Sequence, residues 1–342
     1  MSSTHHAPQW DDRRLPGAEG KTFLVTGGNA GIGYFVAERL AGTGAEVVLG
    51  SRDRAKAEAA IASIGSRVPG AEVRHLPLDL ADLGSLRASV DALGVDRLDA
   101  VVHNAGVALD RPPRRRTEDG HELMFATNHL GHFALTHHLA PLLMAAPGSR
   151  IVTTGSFAAK TERLDLDDLQ NEHDYQPKRA YARSKLAQML FAIELDRRLR
   201  DAGSTTLSVL VHPGGALDAL TPARPPFHVR TTGERLSRLP LGLVVQGKDA
   251  AARPAVRAVL DPDVHGGQLL SPRAFGLRGA PRAEPLWKHL ADPVTAARLW
   301  TASRDLTGVD PTFTAPASRK PPGPGRKGTG TPATGHRKAA SA

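Results

Sequence analysis

"FLVTGGNAGIGYFVAERL", residues 23–40, runs from a short apolar segment through a glycine-rich turn into a stretch with helical spacing. Consecutive apolar residues closed by glycines read as a buried strand and its tight exit. A strand–turn–helix of this kind gathers free backbone N–H groups and the positive end of a helix dipole at one point, which suits phosphate. The spacing is Gly27-x-x-x-Gly31-x-Gly33, not the commoner G-x-G-x-x-G, but the physical demand is the same. Gly27 allows a tight turn, and Gly31 and Gly33 allow backbone and ligand to approach closely. Asn29 and Ile32 lie in the same turn and are expected to line a nucleotide site.

Outward from this stretch, short β-branched runs alternate with helical patterns. Residues 22–26, 46–51, 72–77, 98–103, 150–155, 206–212 and 267–271 read as strands. Most are apolar at consecutive positions, as a parallel sheet covered on both faces requires. The expected fold is therefore α/β: a Rossmann-type, doubly wound parallel sheet of about seven strands with helices on both faces, in a single domain. Residues 19–312 should form that domain, preceded by an N-terminal extension (1–18) and followed by a tail (313–342). Regularity breaks at about 215–245, rich in proline and arginine, just after a strand's C-terminal end. Ligands bind at that edge of an open α/β sheet, so this insertion is a candidate substrate lid.

Composition excludes several function classes. The 342 residues include no cysteine, which removes disulfides, thiolate zinc sites and cysteine nucleophiles. The net charge is +9, but residues 315–342 hold six Lys or Arg and no acid, leaving only +3 for the rest. That segment is rich in proline, glycine and threonine and is expected to be disordered and solvated, so no specific nucleic-acid partner is read from it. The N-terminus lacks the apolar core of a secretory signal, and no stretch reaches the ~20 apolar residues of a membrane span. A cytoplasmic location is expected.

The second strand ends at Ser51-Arg52-Asp53. An acid at this tip would bind ribose hydroxyls, whereas a guanidinium fork suits a 2′-phosphate, which favours NADP(H) over NAD(H). Asp53 either pairs with Arg52 or faces solvent. Farther along, Tyr181 and Lys185 lie four apart in a helical run and share a face. A phenol titrates near ~10, and a cation held close lowers that value and prepares it for proton exchange. Ser156 follows the strand at 150–155 and could hold a substrate oxygen. Asn128 sits inside a predicted helix, where its side chain either binds an ordered water or joins two helices. His129, His132, His137 and His138 lack metal-ligand spacing, and no metal site is expected.

Taken together, "TGGNAGIG" (26–33), "LDL" (78–80), "HNAGV" (103–107), "TNHLGHF" (127–133), "IVTTGS" (151–156), "YARSK" (181–185) and "HPGG" (212–215) resemble the short-chain dehydrogenase/reductase family. The order and intervals are similar to the branch containing retinol dehydrogenases and the WW-domain oxidoreductase. The resemblance implies Tyr181 as proton donor or acceptor and Ser156 as polariser of the substrate oxygen. It implies Lys185 on the nicotinamide ribose and Asn128 positioning a relay water. Asp79 and Leu80 would flank the adenine, Asn104, Ala105 and Gly106 would line the cofactor cleft, and Pro213 and Gly214 would border the nicotinamide. Family members often pair as homodimers or homotetramers. Two departures stand out: Gly155 replaces the first serine of a usual pair, and Asp218 replaces a cofactor-contacting threonine. A carboxylate there would repel a pyrophosphate.

These residues imply a hydride transfer between NADP(H) and a carbonyl or alcohol substrate, apolar to judge from the leucines and Phe227 of the insertion. The alternative is a catalytically silent NADP(H)-binding sensor or partner-binding protein on the same fold.

Overall fold

The computed structural model describes residues 10–225, 233 and 239–313. The basic tail beyond Phe313, the first nine residues, and Phe227 and Leu236 of the insertion lie outside the described residues.

Alternate residues of each central strand face opposite sides, and this decides the architecture. Phe23 and Val25, Val47 and Leu49, Val102, and Val152 join one buried cluster, while Leu24, Val48, Val101 and Ile151 join another. Both faces are thus apolar and both need covering. The strands are β1 (Thr22–Thr26), β2 (Glu46–Ser51), β3 (Val73–Pro77), β4 (Ala100–His103), β5 (Arg150–Thr154), β6 (Leu207–Val211), β7 (Leu269–Ala274) and β8 (Arg278–Glu284). They form one sheet of order β3-β2-β1-β4-β5-β6-β7-β8. Helices α1 (Gly31–Ala41) and α2 (Arg54–Gly65) cover the first face. Helices α3 (Leu86–Asp91), α4 (Gly131–Met144) and α5 (Pro177–Asp201) cover the second. Helix α6 (Arg253–Leu260) adds to the first face, and α7 (Pro293–Thr307) packs on α5.

Pairing is parallel from β3 through β7, as expected, and antiparallel between β7 and β8. The eighth strand was not legible in "RGAPRAE", which has neither apolar alternation nor β-branched residues. It forms because the turn before it reverses the chain. Phe275 and Gly276 have φ of 53° and 70°, and the Leu277 N–H donates to the Ala274 carbonyl at 2.9 Å. Two successive positive φ values mark the type I′ geometry that matches strand twist.

The strand order reverses between β1 and β4, so the chain leaves them in opposite directions and a crevice opens at their C-terminal ends. Helix α4 is entered through a π-turn, Ala126–Leu130, which carries Asn128. Its first residue, Gly131, lies so close to the loop after β3 that a Cβ there would run into the Leu80 carbonyl oxygen. Glycine-to-alanine changes in helices normally stabilise by about 1 kcal/mol. Gly131→Ala is expected instead to destabilise by about 2 kcal/mol, through overpacking. Thermal melts should show a Tm about 5 °C lower; an unchanged or raised Tm would remove the close approach from this account.

Candidate active site

The glycine turn fills the crevice floor. Gly27 has φ of 65°, and a Cβ on it would stand 3.0 Å from the Ala105 Cα. Gly31 has φ of 60°, lines the crevice, and has open space where its Cβ would point, as a cradle for phosphate requires. Gly33 does not line the crevice. It is pressed against the Gly27 carbonyl and the Asn104 side chain, and so seats α1 on the turn. Asn104 in turn donates to the Thr26 carbonyl at 3.0 Å. The resulting cavity measures 540 Å³ and is lined on this side by Asn29, Ile32, Asn104, Ala105 and Gly106.

At its outer end the cavity meets Ser51, Arg52, Asp79 and Leu80. Arg52 faces Asp79, Nη1 to Oδ2, at 3.7 Å, and not Asp53. Asp53 caps α2 by accepting from the Lys56 N–H at 3.0 Å and pairs with the Lys56 ammonium at 3.0 Å. These contacts hold its carboxyl below the usual carboxylate range. Lys56 lines the same cavity and was missed by sequence reasoning. Its place in the first turn of α2, four residues after Arg52, was the available signal. Lys248 also lines the cavity, paired with Asp218, the acid that departs from the family pattern.

Asn128, Ser156, Tyr181 and Lys185 do not line this cavity; behind its Gly106 wall runs a chain of buried polar groups. The Lys185 ammonium is buried and donates to the Thr154 carbonyl at 2.6 Å and to Gln188 Oε1 at 2.5 Å. Burial pushes its pKa down to about 7. Gln188 lies 3.2 Å from Nδ1 of His132, whose Nε2 lies 3.0 Å from the Thr26 hydroxyl. That hydroxyl already accepts from the Asn104 and Ala105 N–H groups, each at 3.0 Å. Its single proton has two acceptors in reach, the Val102 carbonyl at 3.2 Å and His132 Nε2; the Asn128 carbonyl, which can only accept, lies 3.0 Å from Nδ1 and places the ring proton there. Burial holds the His132 pKa down near about 3, so the ring stays neutral.

The Asn128 side chain is bonded through both its oxygen and its nitrogen. Its Oδ1 accepts from the Val107 N–H at 2.7 Å, and its amide donates to the Val107 carbonyl at 3.0 Å and Ser184 Oγ at 2.9 Å. It fastens the loop after β4 to α5, close to the element-joining alternative read from the sequence. A Cβ on Gly106 would stand 3.2 Å from Asn128 Oδ1 and 4.0 Å from Lys185 Nζ, so loop, asparagine and lysine converge. Tyr181 is half-buried one turn before Lys185, and its carbonyl accepts from Ser184 Oγ at 2.8 Å. His129 is used in the core, 2.7 Å from Ser303 Oγ, and His137 bonds the Asp310 carbonyl at 2.6 Å.

Ser156 follows β5, and its hydroxyl accepts from the Ala158 N–H at 3.3 Å. The glycine before it has a packing cause, since a Cβ on Gly155 would stand 2.9 Å from the Met189 sulfur on α5. Pro213 and Gly214 do not line the 540 Å³ cavity. The Pro213 carbonyl accepts from Gln246 at 2.9 Å, and the Gly214 N–H donates to His212 Nδ1 at 2.8 Å. His212 is a second residue that sequence reasoning passed over inside "HPGG". It helps to wall a separate 450 Å³ cavity with Phe157, Phe275 and Trp287, on the Ser156 side of the sheet edge. Burial pushes its pKa down to about 4.

Residues 21–219 match the family model described as short chain dehydrogenase. Retinol dehydrogenase 13 of Homo sapiens is 37% identical over 316 residues, covering 89% of this chain and 88% of that protein. An uncharacterized protein from Mycobacterium Paratuberculosis of known crystal structure is 35% identical, with a TM-score of 0.70 over 88% of this chain and 98% of its own. A short chain dehydrogenase from Burkholderia cenocepacia, solved in complex with NADP, is 25% identical, with a TM-score of 0.56 over 77% of this chain and 98% of its own.

Proposed function

The chain belongs to the short-chain dehydrogenase family, and from that membership we propose that it moves a hydride between NADP(H) and the carbonyl or hydroxyl carbon of an apolar small molecule, with Tyr181 as the acid/base. At the coarser level it is an oxidoreductase working with a nicotinamide cofactor. The observation that carries the finer reading is buried Lys185, one turn after Tyr181 and beside the loop Asn104–Gly106. A lysine is seldom enclosed without a partner to serve. Two of its N–H donors are taken among the described bonds, and the third remains for a ribose hydroxyl.

The residues present fit such a cofactor. The Gly27–Gly31 turn would hold its pyrophosphate, Arg52 and Lys56 its 2′-phosphate, and Asp79 and Leu80 its adenine. When bound, the nicotinamide supplies or accepts the hydride. The Tyr181 phenol gives its proton to the substrate oxygen as the carbon receives hydride, and takes it back in the reverse direction. The Ser156 hydroxyl donates to the same oxygen, and Lys185 favours phenolate. The substrate class rests on two supports: the aromatic wall of Phe157, Phe275 and Trp287, and the alcohol for which retinol dehydrogenase 13 is named.

The test is oxidation of NADPH, followed by absorbance, with a panel of apolar ketones and aldehydes and with NADH in parallel. Arg52→Ala is expected to weaken NADPH about 30-fold, the worth of a charge-assisted phosphate contact, and to leave NADH nearly unchanged. Equal losses for both cofactors would remove Arg52 from the 2′-phosphate. Tight NADPH binding without turnover on any compound would favour the silent sensor.

A further inference from the structure

The rim of the cavity carries paired charges. Each cation on its rim already holds an acid: Arg52 with Asp79, Lys56 with Asp53, and Lys248 with Asp218. The first two stand at the adenosine end. The third stands apart from them. Ala216, two residues before Asp218, lines the cavity with Lys248, and the short helix opened by Lys248 packs against α1, whose first turn belongs to the phosphate cradle.

The backbones carrying this pair are locked together. Thr221 Oγ1 accepts from the Lys248 N–H at 3.0 Å and donates to the Leu217 carbonyl at 2.9 Å. Gln246 donates its backbone N–H to Gly215 at 3.0 Å, and Leu217 donates to Gln246 at 2.9 Å. The Lys248 side chain is free of that lock. It has four rotatable bonds, so its ammonium can leave the carboxylate without any movement of the loop. A carboxylate offers one negative charge, and a pyrophosphate two. Alone at this lip, Asp218 would repel the cofactor; joined to Lys248 it is neutralised.

We infer that Lys248 is a pyrophosphate ligand held in reserve by Asp218, and that the entering dinucleotide takes the ammonium from the carboxylate. The inference rests on the cofactor reading above and adds to it a residue and an ion-pair exchange. Asp218 and Lys248 then do together what the family threonine does by hydrogen bonding, at the cost of an ion pair broken on each binding event.

The experiment measures dissociation constants by titration calorimetry with two fragments, ADP-ribose and adenosine 2′-phosphate. Lys248→Ala should weaken ADP-ribose about tenfold, leave adenosine 2′-phosphate unchanged and flatten the salt dependence of ADP-ribose binding. Asp218→Thr should tighten ADP-ribose about threefold, because it releases the lysine and removes an opposing charge. Lys248→Arg should retain most of the affinity. Thermal melts of each variant identify any that fails to fold, and Lys248→Gln replaces Lys248→Ala in that case. ADP-ribose bound equally well by wild type and by the neutral Lys248 variants would overturn the inference. So would weaker binding in folded Asp218→Thr, since the acid would then be orienting the lysine rather than restraining it. Wild type that binds neither fragment would overturn the cofactor reading itself, and the inference with it.

Discussion

Tyr181→Phe is expected to lower kcat by about a thousandfold while leaving the dissociation constant for NADPH unchanged. The substitution removes one oxygen and keeps the ring, so packing on α5 is preserved. What is lost is the proton needed by the substrate oxygen as hydride arrives. General acid catalysis by a positioned side chain is worth about 10²–10⁴-fold. Lys185 does not replace it, because two of its donors are directed at Thr154 and Gln188 and the third is assigned to the ribose. The loss should appear in kcat and in kcat/KM alike, since the interaction is made only as charge develops on oxygen. Stopped-flow mixing of enzyme, NADPH and ketone would measure it. A variant retaining more than about a tenth of the wild-type rate would show that another group delivers the proton.

The second large effect concerns acid. His103, His129 and His132 are buried in or beside the second core layer. Burial lowers the pKa of His129 and His132 to about 3 and holds His103 well below its ordinary 6.5. His103 stacks on His132 with ring centroids 4.7 Å apart, so charging either ring penalises the other. A histidine whose folded pKa is depressed stabilises the fold fully above its unfolded value. That stability is lost as pH falls from about 6.5 through the folded pKa, because only the unfolded chain binds the proton there. At pH 5 His129, His132 and also buried His212, with its value of about 4, have each lost about 2 kcal/mol, about 6 kcal/mol together, and His103 adds to the loss. Buried Glu122 and Asp196, whose carboxyls burial pushes up, take protons in the folded state and offset part of this. Against a typical total of 5–15 kcal/mol, the remainder should lower Tm by at least about 10 °C between pH 8 and pH 5. His129→Gln, which keeps a partner for Ser303, should reduce that fall by about a third. A Tm that is level over this range would mean these buried rings accept charge at little cost.

Much of the fold was legible because its signals are local. The glycines of the β1–α1 turn, the continuous apolar strands and the alternation with helices each depend on a few neighbouring residues. The cavity then gathers Gly27, Asn29, Gly31, Ser51, Arg52, Asp79 and Asn104 as the motifs imply. Ser156 stands after a strand end, and Tyr181 and Lys185 one helical turn apart, as local spacing alone sets them, outside the lining of that cavity.

The tertiary structure decided what depends on distant partners. Asn128 was read as holding a water or joining two helices, and its partners, the Val107 N–H and carbonyl in the loop after β4, came only with the fold. Lys248 carries no motif; its partner Asp218 lies thirty residues earlier and is held close by the Leu217–Gln246 and Thr221–Lys248 hydrogen bonds. His132 Nε2 meets the hydroxyl of Thr26, 106 residues away in the chain. Strand β8 is made by a turn, not by its own residues. In this protein local sequence determined which backbone elements form and which groups stand at the sheet edge. Only packing decided where their spare hydrogen bonds and charges go, because a polar side chain's role is set by the partner it meets once water is gone.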